Sequence, residues 1–218
     1  MGKSYLNIEN LFKNIQEENF SLIFLTGKTS TGKTTFSNKL TSIGYQVIKL
    51  DDIIISSIYN KYNPHDISSA FAVYKGNVPV EWAASFIQAT REEINLKIKY
   101  GPVLIEGTLA NNEIIKKIFN KELQNFQFVF LLPVNVSAYT DKIRNRFVSG
   151  ITSNTTYLPE EFFKTVSELD IKDYLRTMQT SDVLLRKIEN FARWSMEESL
   201  RRLDYFNQSF SDIIVVEV

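Results

Sequence analysis

The chain has 218 residues, 44% of them apolar, and its 25 Lys+Arg balance 25 Asp+Glu for a formal net charge of zero, close to an ordinary globular make-up. At this length roughly 70% of the unfolded surface can be buried, so one domain can hold a core without disulfides or a structural metal. The lack of Cys and the single His65 exclude Cys-ligated zinc, iron–sulfur clusters, thiol catalysis and a disulfide framework and disfavour a His-dependent triad, while neutrality weighs against a nucleic-acid coat protein.

The opening MGKSYLNIENLFKN lacks an apolar signal-peptide core, and Leu6 stands where a myristoylation motif needs Ser or Thr. No apolar run approaches the ~20 residues of a membrane span, so a cytoplasmic protein without a membrane partner is expected. Residues 5–20 predict a leading helix. Ser21–Thr26, SLIFLT, is an apolar run of strand length that stops at Gly27, and helical periodicity follows over 33–42 until Gly44. Tyr45–Leu50, YQVIKL, predicts a second strand ending in Asp51 and Asp52. Residues 52–76 are mixed, with Tyr59, Tyr62, Phe71 and Tyr74 spread through them. After Pro79, Ala83, Ala84, Ile87, Ile94 and Ile98 fall at helical spacing, and Gly101-Pro102 is a stop signal.

Val103–Glu106 predicts the third strand, Asn112–Asn120 a helix, Phe126–Leu132 the fourth strand and Ser137–Phe147 another helix. The polar stretch VSGITSNTTYLP predicts a mobile segment, and helices are expected from Pro159 on, with Leu184, Ile188, Phe191, Leu200 and Leu203 as one apolar stripe. Asp212–Glu217 closes the chain as a fifth strand. Alternating strands and helices predict a three-layer α/β domain over residues 1–218, its five-stranded parallel sheet covered on both faces. Ligands bind such sheets at the carboxyl ends of the strands. Three segments elaborate this frame: an acceptor-binding insertion at 53–100, a lid at 144–158 and a helical segment at 159–207.

Residues 27–34 read GKTSTGKT and satisfy GxxxxGK[ST] between a predicted strand and a predicted helix. Gly27 and Gly32 let the backbone wrap closely, and the amides of Thr29, Ser30 and Thr31 can point at anionic oxygens beside a helix N-terminus. Lys33 is expected at the β- and γ-phosphates of ATP and the Thr34 hydroxyl on Mg²⁺. Lys28 and Thr35 complete the candidate set, although the pattern does not require them. Thr29 stands where a dinucleotide-binding GxGxxG would need Gly.

The NKLT and NKEL segments lack the Asp of a guanine-reading NKxD, and no DxxG occurs. A small kinase instead needs a carboxylate near the γ-phosphate and cations over the transferring group. Asp51, Asp52 and Glu106 end strands that share the edge of the phosphate loop. Asp51 is the candidate base and Asp52 the fallback, with a helix cap as the alternative use of either. Glu106 can accept from the acceptor or hold Mg²⁺ through water, so Thr34, Asp51 and Glu106 form the candidate metal set. Arg144 and Arg146, in DKIRNRF, are candidates to close over the phosphates, and at two residues apart they cannot share a helix face. Arg91, the one Arg in the front half, is a candidate for an acceptor phosphate. His65 reads as a surface or pocket-edge residue.

In order along the chain, GKTSTGKT, Asp51-Asp52, Glu106 and DKIRNRF resemble the P-loop kinase superfamily, in particular the nucleoside and nucleotide kinases, over about the first 150 residues. VLIEGTLANNEIIKK is similar to the third-strand segment of the zeta-toxin-like kinases, which phosphorylate a nucleotide sugar. The resemblance implies that Asp51 is the base, that Glu106 and Thr108 sit at the acceptor, and that Arg144 or Arg146 serves the lid. TSNTTYLPEE has no counterpart of that family's second lid arginine, and YNPHD matches its His-Pro segment only loosely. The expected activity is ATP- and Mg²⁺-dependent transfer of the γ-phosphoryl group to a hydroxyl of a small metabolite: a nucleoside, nucleotide or nucleotide sugar. A polynucleotide 5′-hydroxyl kinase and a non-enzymatic ATP-gated interaction module are the alternatives.

Overall fold

The computed structural model describes residues 4–5, 7–119, 126–153 and 160–218. Among these residues the sheet has six strands, β1 (Ser4–Tyr5), β2 (Leu22–Gly27), β3 (Gln46–Lys49), β4 (Val103–Gly107), β5 (Phe126–Leu132) and β6 (Ile213–Glu217), in the order β1-β6-β5-β2-β4-β3. Every pairing is parallel. The five expected strands are present, and the sixth is the two-residue β1, which adds to β6 just ahead of the leading helix α1 (Ile8–Glu18). So short a strand carries no periodicity of its own to read. α1 begins at Asn7, whose side chain accepts from the Asn10 amide, and ends at Asn19 in the left-handed conformation.

β2 is buried along its whole length, and its alternating side chains supply both cores. Leu22 and Phe24 pack with Ile48, Val103, Ile105 and Phe128 on one face. Ile23 and Leu25 pack with Leu104, Val129, Leu131 and the helix residues Leu11, Ile15, Phe36 and Leu40 on the other, where α1 and α2 (Lys33–Thr41) lie. The first face is covered by the insertion, which runs through α3 (Leu50–Ile54), a π-helical turn at Ile55–Tyr59, α4 (Asn60–Tyr62), α5 (Ile67–Phe71), a 3₁₀ turn at Ala72–Lys75 and α6 (Val80–Lys97), and then by α7 (Asn112–Ile118). Tyr74 is buried in this core, and Tyr59, Tyr62 and Phe71 pack against it, so the aromatic residues of the insertion serve packing.

The remaining helices are α8 (Val136–Ser153), α9 (Glu160–Thr165), α10 (Glu168–Thr177) and α11 (Asp182–Asn207). They build a third apolar cluster from Tyr139, Ile143, Phe147, Phe162, Tyr174, Leu184, Ile188 and Phe191. α8 runs past the expected end at Phe147 because that ring is fully buried against Phe162 (centroids 5.6 Å apart) and Tyr174 (5.5 Å). Packing there overrides the weak helix propensity of the residues that follow. Residues 144–153 of the expected lid are therefore helical, and 154–158 lie outside the described residues. No helix among the described residues is long and apolar enough to cross a membrane.

Candidate functional site

Strand register gathers the site. Gly27 pairs with Leu131, Thr26 with Gly107, and Glu106 with both Leu25 and Lys49. The carboxyl ends of β2, β3 and β4 thus meet at one edge, where the chain's direction of travel through the sheet reverses about β2. A cleft of about 570 Å³ opens there, lined by Thr29, Ser30, Gly32–Thr35, Lys49, Asp51, Glu106–Thr108, Lys142, Asn145 and Arg146.

The loop at 27–34 leaves the N-terminus of α2 open to the cleft. Gly32 occupies the N-cap of α2 at φ 94°, a left-handed conformation that favours glycine, and no side chain caps the helix amides. Thr31 is buried and its hydroxyl donates to the Lys28 carbonyl at 2.8 Å, which closes the turn. Ser30 is held at φ 65°, a conformation that costs a non-glycine residue on the order of 1 kcal/mol. Its hydroxyl oxygen is buried without a hydrogen-bond partner among the described residues. An orphaned polar atom beside the uncapped N-terminus of α2 suits a phosphate oxygen. Lys33 Nζ donates to the Gly27 and Lys28 carbonyls at 2.9 Å each. Burial pushes its ammonium down to about 8, against the opposing pull of Glu106 and Asp51. Two helices brace the loop from behind: the Tyr139 hydroxyl of α8 donates to the Thr29 carbonyl at 2.8 Å and lies 3.1 Å from Ser195 Oγ, while Lys28 Nζ sits 4.7 Å from the centre of the Trp194 ring on α11. Burial raises the Tyr139 hydroxyl to about 12, so it remains a donor.

Across the cleft, Asp51 is exposed in the first turn of α3. The cap position of that helix is Lys49, so Asp51 is not spent as a cap. Its Oδ1 accepts from the Tyr74 hydroxyl, whose proton is held well above the ordinary tyrosine range by burial and then by the Asp51 charge. Glu106 is buried at 8% exposure, and its Oε2 accepts from Ser37 of α2. Gly107 explains why these acids stand together. A Cβ there would lie 2.8 Å from Leu50 Cδ1 and 2.9 Å from Leu50 Cβ, so only glycine lets the fully buried Leu50 seat against β4 and deliver Asp51 beside Glu106.

Thr34, Asp51 and Glu106 all face the cleft. Mg²⁺ takes one or two carboxylates and completes its shell with substrate phosphates and water, so this donor set fits it; no group of three His, Cys, Asp or Glu converges among the described residues. Thr108 and Arg146 also line the cleft. Desolvation lowers the Arg146 guanidinium, while the charge of Asp51 pulls it back up.

Three expected residues stand elsewhere. Asp52 faces a separate small depression with Lys49, Glu93 and Lys97, because neighbours on a helix diverge by about 100°. Arg144 bridges to Asp141 at 3.0 Å one turn back on α8 and does not line the cleft. Arg91 does not line it either, and its Nε is buried without a hydrogen-bond partner among the described residues. His65 is fully exposed. Sequence reasoning missed Lys49, Lys142 and Asn145 on the walls and the supports Ser37, Tyr74, Tyr139 and Trp194. The i, i+3, i+4 spacing of Lys142, Asn145 and Arg146 puts them on one helix face and was the one available signal.

No protein-family model and no curated protein sequence matches the chain. Among solved structures, shikimate kinase from Bacteroides thetaiotaomicron is 16% identical with a TM-score of 0.39, the alignment covering 87% of this chain and 99% of that one. A gluconokinase from Sinorhizobium meliloti is 16% identical with a TM-score of 0.41, covering 87% and 98%. A structure from the PezAT chromosomal toxin–antitoxin system of Streptococcus pneumoniae is 16% identical with a TM-score of 0.37, covering 88% and 95%. These superpositions are loose. By its own all-parallel strand order, and by the GKTSTGKT loop that leaves the central strand, the chain has a three-layer α/β fold of the P-loop type.

Proposed function

We propose that the protein is an ATP- and Mg²⁺-dependent phosphotransferase that moves the γ-phosphoryl group to a hydroxyl of a small metabolite, in the class of nucleosides, nucleotides and nucleotide sugars. The observation that carries this reading is the meeting of Lys33, Arg146 and the exposed carboxylate of Asp51 in one cleft at the carboxyl edge of the sheet. A loop that only gripped Mg²⁺ and a nucleotide would need one acid for the metal, which Glu106 can supply, so Asp51 is the second acid, left to face an acceptor.

The amides of residues 29–33 bind the phosphate oxygens, and Lys33 exchanges its two carbonyl partners for the β- and γ-oxygens. Mg²⁺, held by Thr34 and through water by Glu106 or Asp51, would neutralise charge on the same oxygens. Arg146 supplies a second cation to the equatorial oxygens as charge builds in the transition state. Asp51 orients the acceptor hydroxyl and takes its proton as the new P–O bond forms and the bond to the ADP leaving group breaks. Thr108 and the backbone at Gly107 bound the acceptor side.

The test is ADP release with Mg²⁺ and ATP over a panel of nucleosides, nucleotides and nucleotide sugars. The expected result is one class of acceptor that turns over, loss of turnover in Lys33→Ala, and a ~10²–10⁴-fold loss in Asp51→Asn with nucleotide binding retained. Tight ATP binding with no transfer to any acceptor refutes the reading and favours an ATP-gated interaction module. Transfer only to a polynucleotide 5′ end, with affinity that collapses as salt is added, favours the polynucleotide kinase.

A further inference from the structure

We infer that Tyr74 is the positioning residue of the acceptor side: its hydroxyl fixes the Asp51 carboxylate and ties the insertion to the loop that carries Thr108. The inference rests on the kinase reading of the cleft. Asp51 lies on an exposed helical turn, where a short acid is free to change rotamer. Its Oδ1 is claimed from below by Tyr74, a ring at 8% exposure packed edge-to-face on Phe71 with centroids 5.8 Å apart. Oδ2 has no hydrogen-bond partner among the described residues and is left for the acceptor hydroxyl.

The same tyrosine is anchored at its backbone. The Ala110 amide donates to the Tyr74 carbonyl at 3.0 Å, two residues beyond Thr108. Gly76 closes the contact: it stands at φ 80°, and a Cβ there would lie 2.2 Å from Asn111 Nδ2. The turn at 72–76 is therefore keyed into the loop at 108–111 while its side chain grips Asp51. An acceptor that displaced the insertion would therefore move the base as well.

The full-length Tyr74→Phe variant keeps the ring and removes the donor. With an acceptor found in the panel, kcat should fall about 10-fold or more, the range for losing a hydrogen bond to a charged group, while KM for ATP stays unchanged. In the Asp51→Asn background the same substitution should have no further effect. Independently of turnover, the ¹³Cζ resonance of Tyr74, assigned by its loss in Tyr74→Phe, should shift in Asp51→Asn. Wild-type transfer with an unaffected Tyr74→Phe, an equal drop in both backgrounds, or an unmoved ¹³Cζ resonance overturns the inference alone. No transfer by wild type to any acceptor overturns the kinase reading and this inference with it.

Discussion

Gly107→Ala tests how the acids are brought together. Its new methyl would meet Leu50 Cδ1 at 2.8 Å, Cβ at 2.9 Å and Cγ at 3.1 Å, whereas carbon atoms settle at about 3.5–4.0 Å. Leu50 is fully buried and two of its three clashing atoms lie close to the backbone, so rotamer change cannot clear the contact. The chain at Leu50 must retreat by roughly 0.7 Å or more. Overpacking of this kind costs about 1–3 kcal/mol, which in a chain of this size lowers Tm by roughly 2–4 °C for each kcal/mol. Asp51 is the next residue and moves with Leu50, and a ~1 Å misplacement can cost on the order of 10²-fold in rate. Thermal unfolding, titration of a non-hydrolysable ATP analogue and ADP release on one preparation should show a lower Tm, near-wild-type nucleotide affinity and a loss of transfer. An unchanged Tm together with normal transfer would refute the claim that this close contact sets the position of Asp51.

Lys33 supplies a pH test. Its ammonium is lowered to about 8 in the free protein, so the penalty it places on the folded state is largest below that pH and fades as pH rises toward 10.5. Bound triphosphate restores the charged form; affinity should therefore weaken about 10-fold from pH 7 to pH 9, with close to one proton taken up per nucleotide near pH 9. Calorimetry in two buffers of different ionisation enthalpy reads the uptake, and identical heats in both would dismiss it. Tyr139→Phe removes the brace on the Thr29 carbonyl and should weaken nucleotide binding by about 2–10-fold, the worth of one hydrogen bond, with the far-ultraviolet spectrum unchanged; wild-type affinity would show that the loop holds its shape unaided. Phe147→Ala should cost about 3–5 kcal/mol in urea unfolding, and a loss under about 1 kcal/mol would mean that the α8–α11 cluster packs loosely.

The sequence alone determined the elements with strong local signals. The phosphate loop was legible because its chemistry demands glycines and a lysine at fixed spacing. The buried strands were legible because Leu22–Leu25, Val103–Ile105 and Phe128–Leu132 are apolar without interruption, Glu106 because it follows such a run, and Asp51 because it follows the strand-length stretch YQVIKL. Tertiary structure decided the rest. Asp51 and Asp52 are equivalent as text and separate only when α3 winds up and turns Asp51 toward the cleft and Asp52 away from it. Arg146 was told from Arg144 by the direction of α8, and α8 outran its own propensities because Phe147 is buried by helices later in the chain. Ser37, Tyr74 and Tyr139 carry no motif: their hydroxyls matter through partners 69, 23 and 110 residues away, and contacts at such separation exist only once the chain has folded.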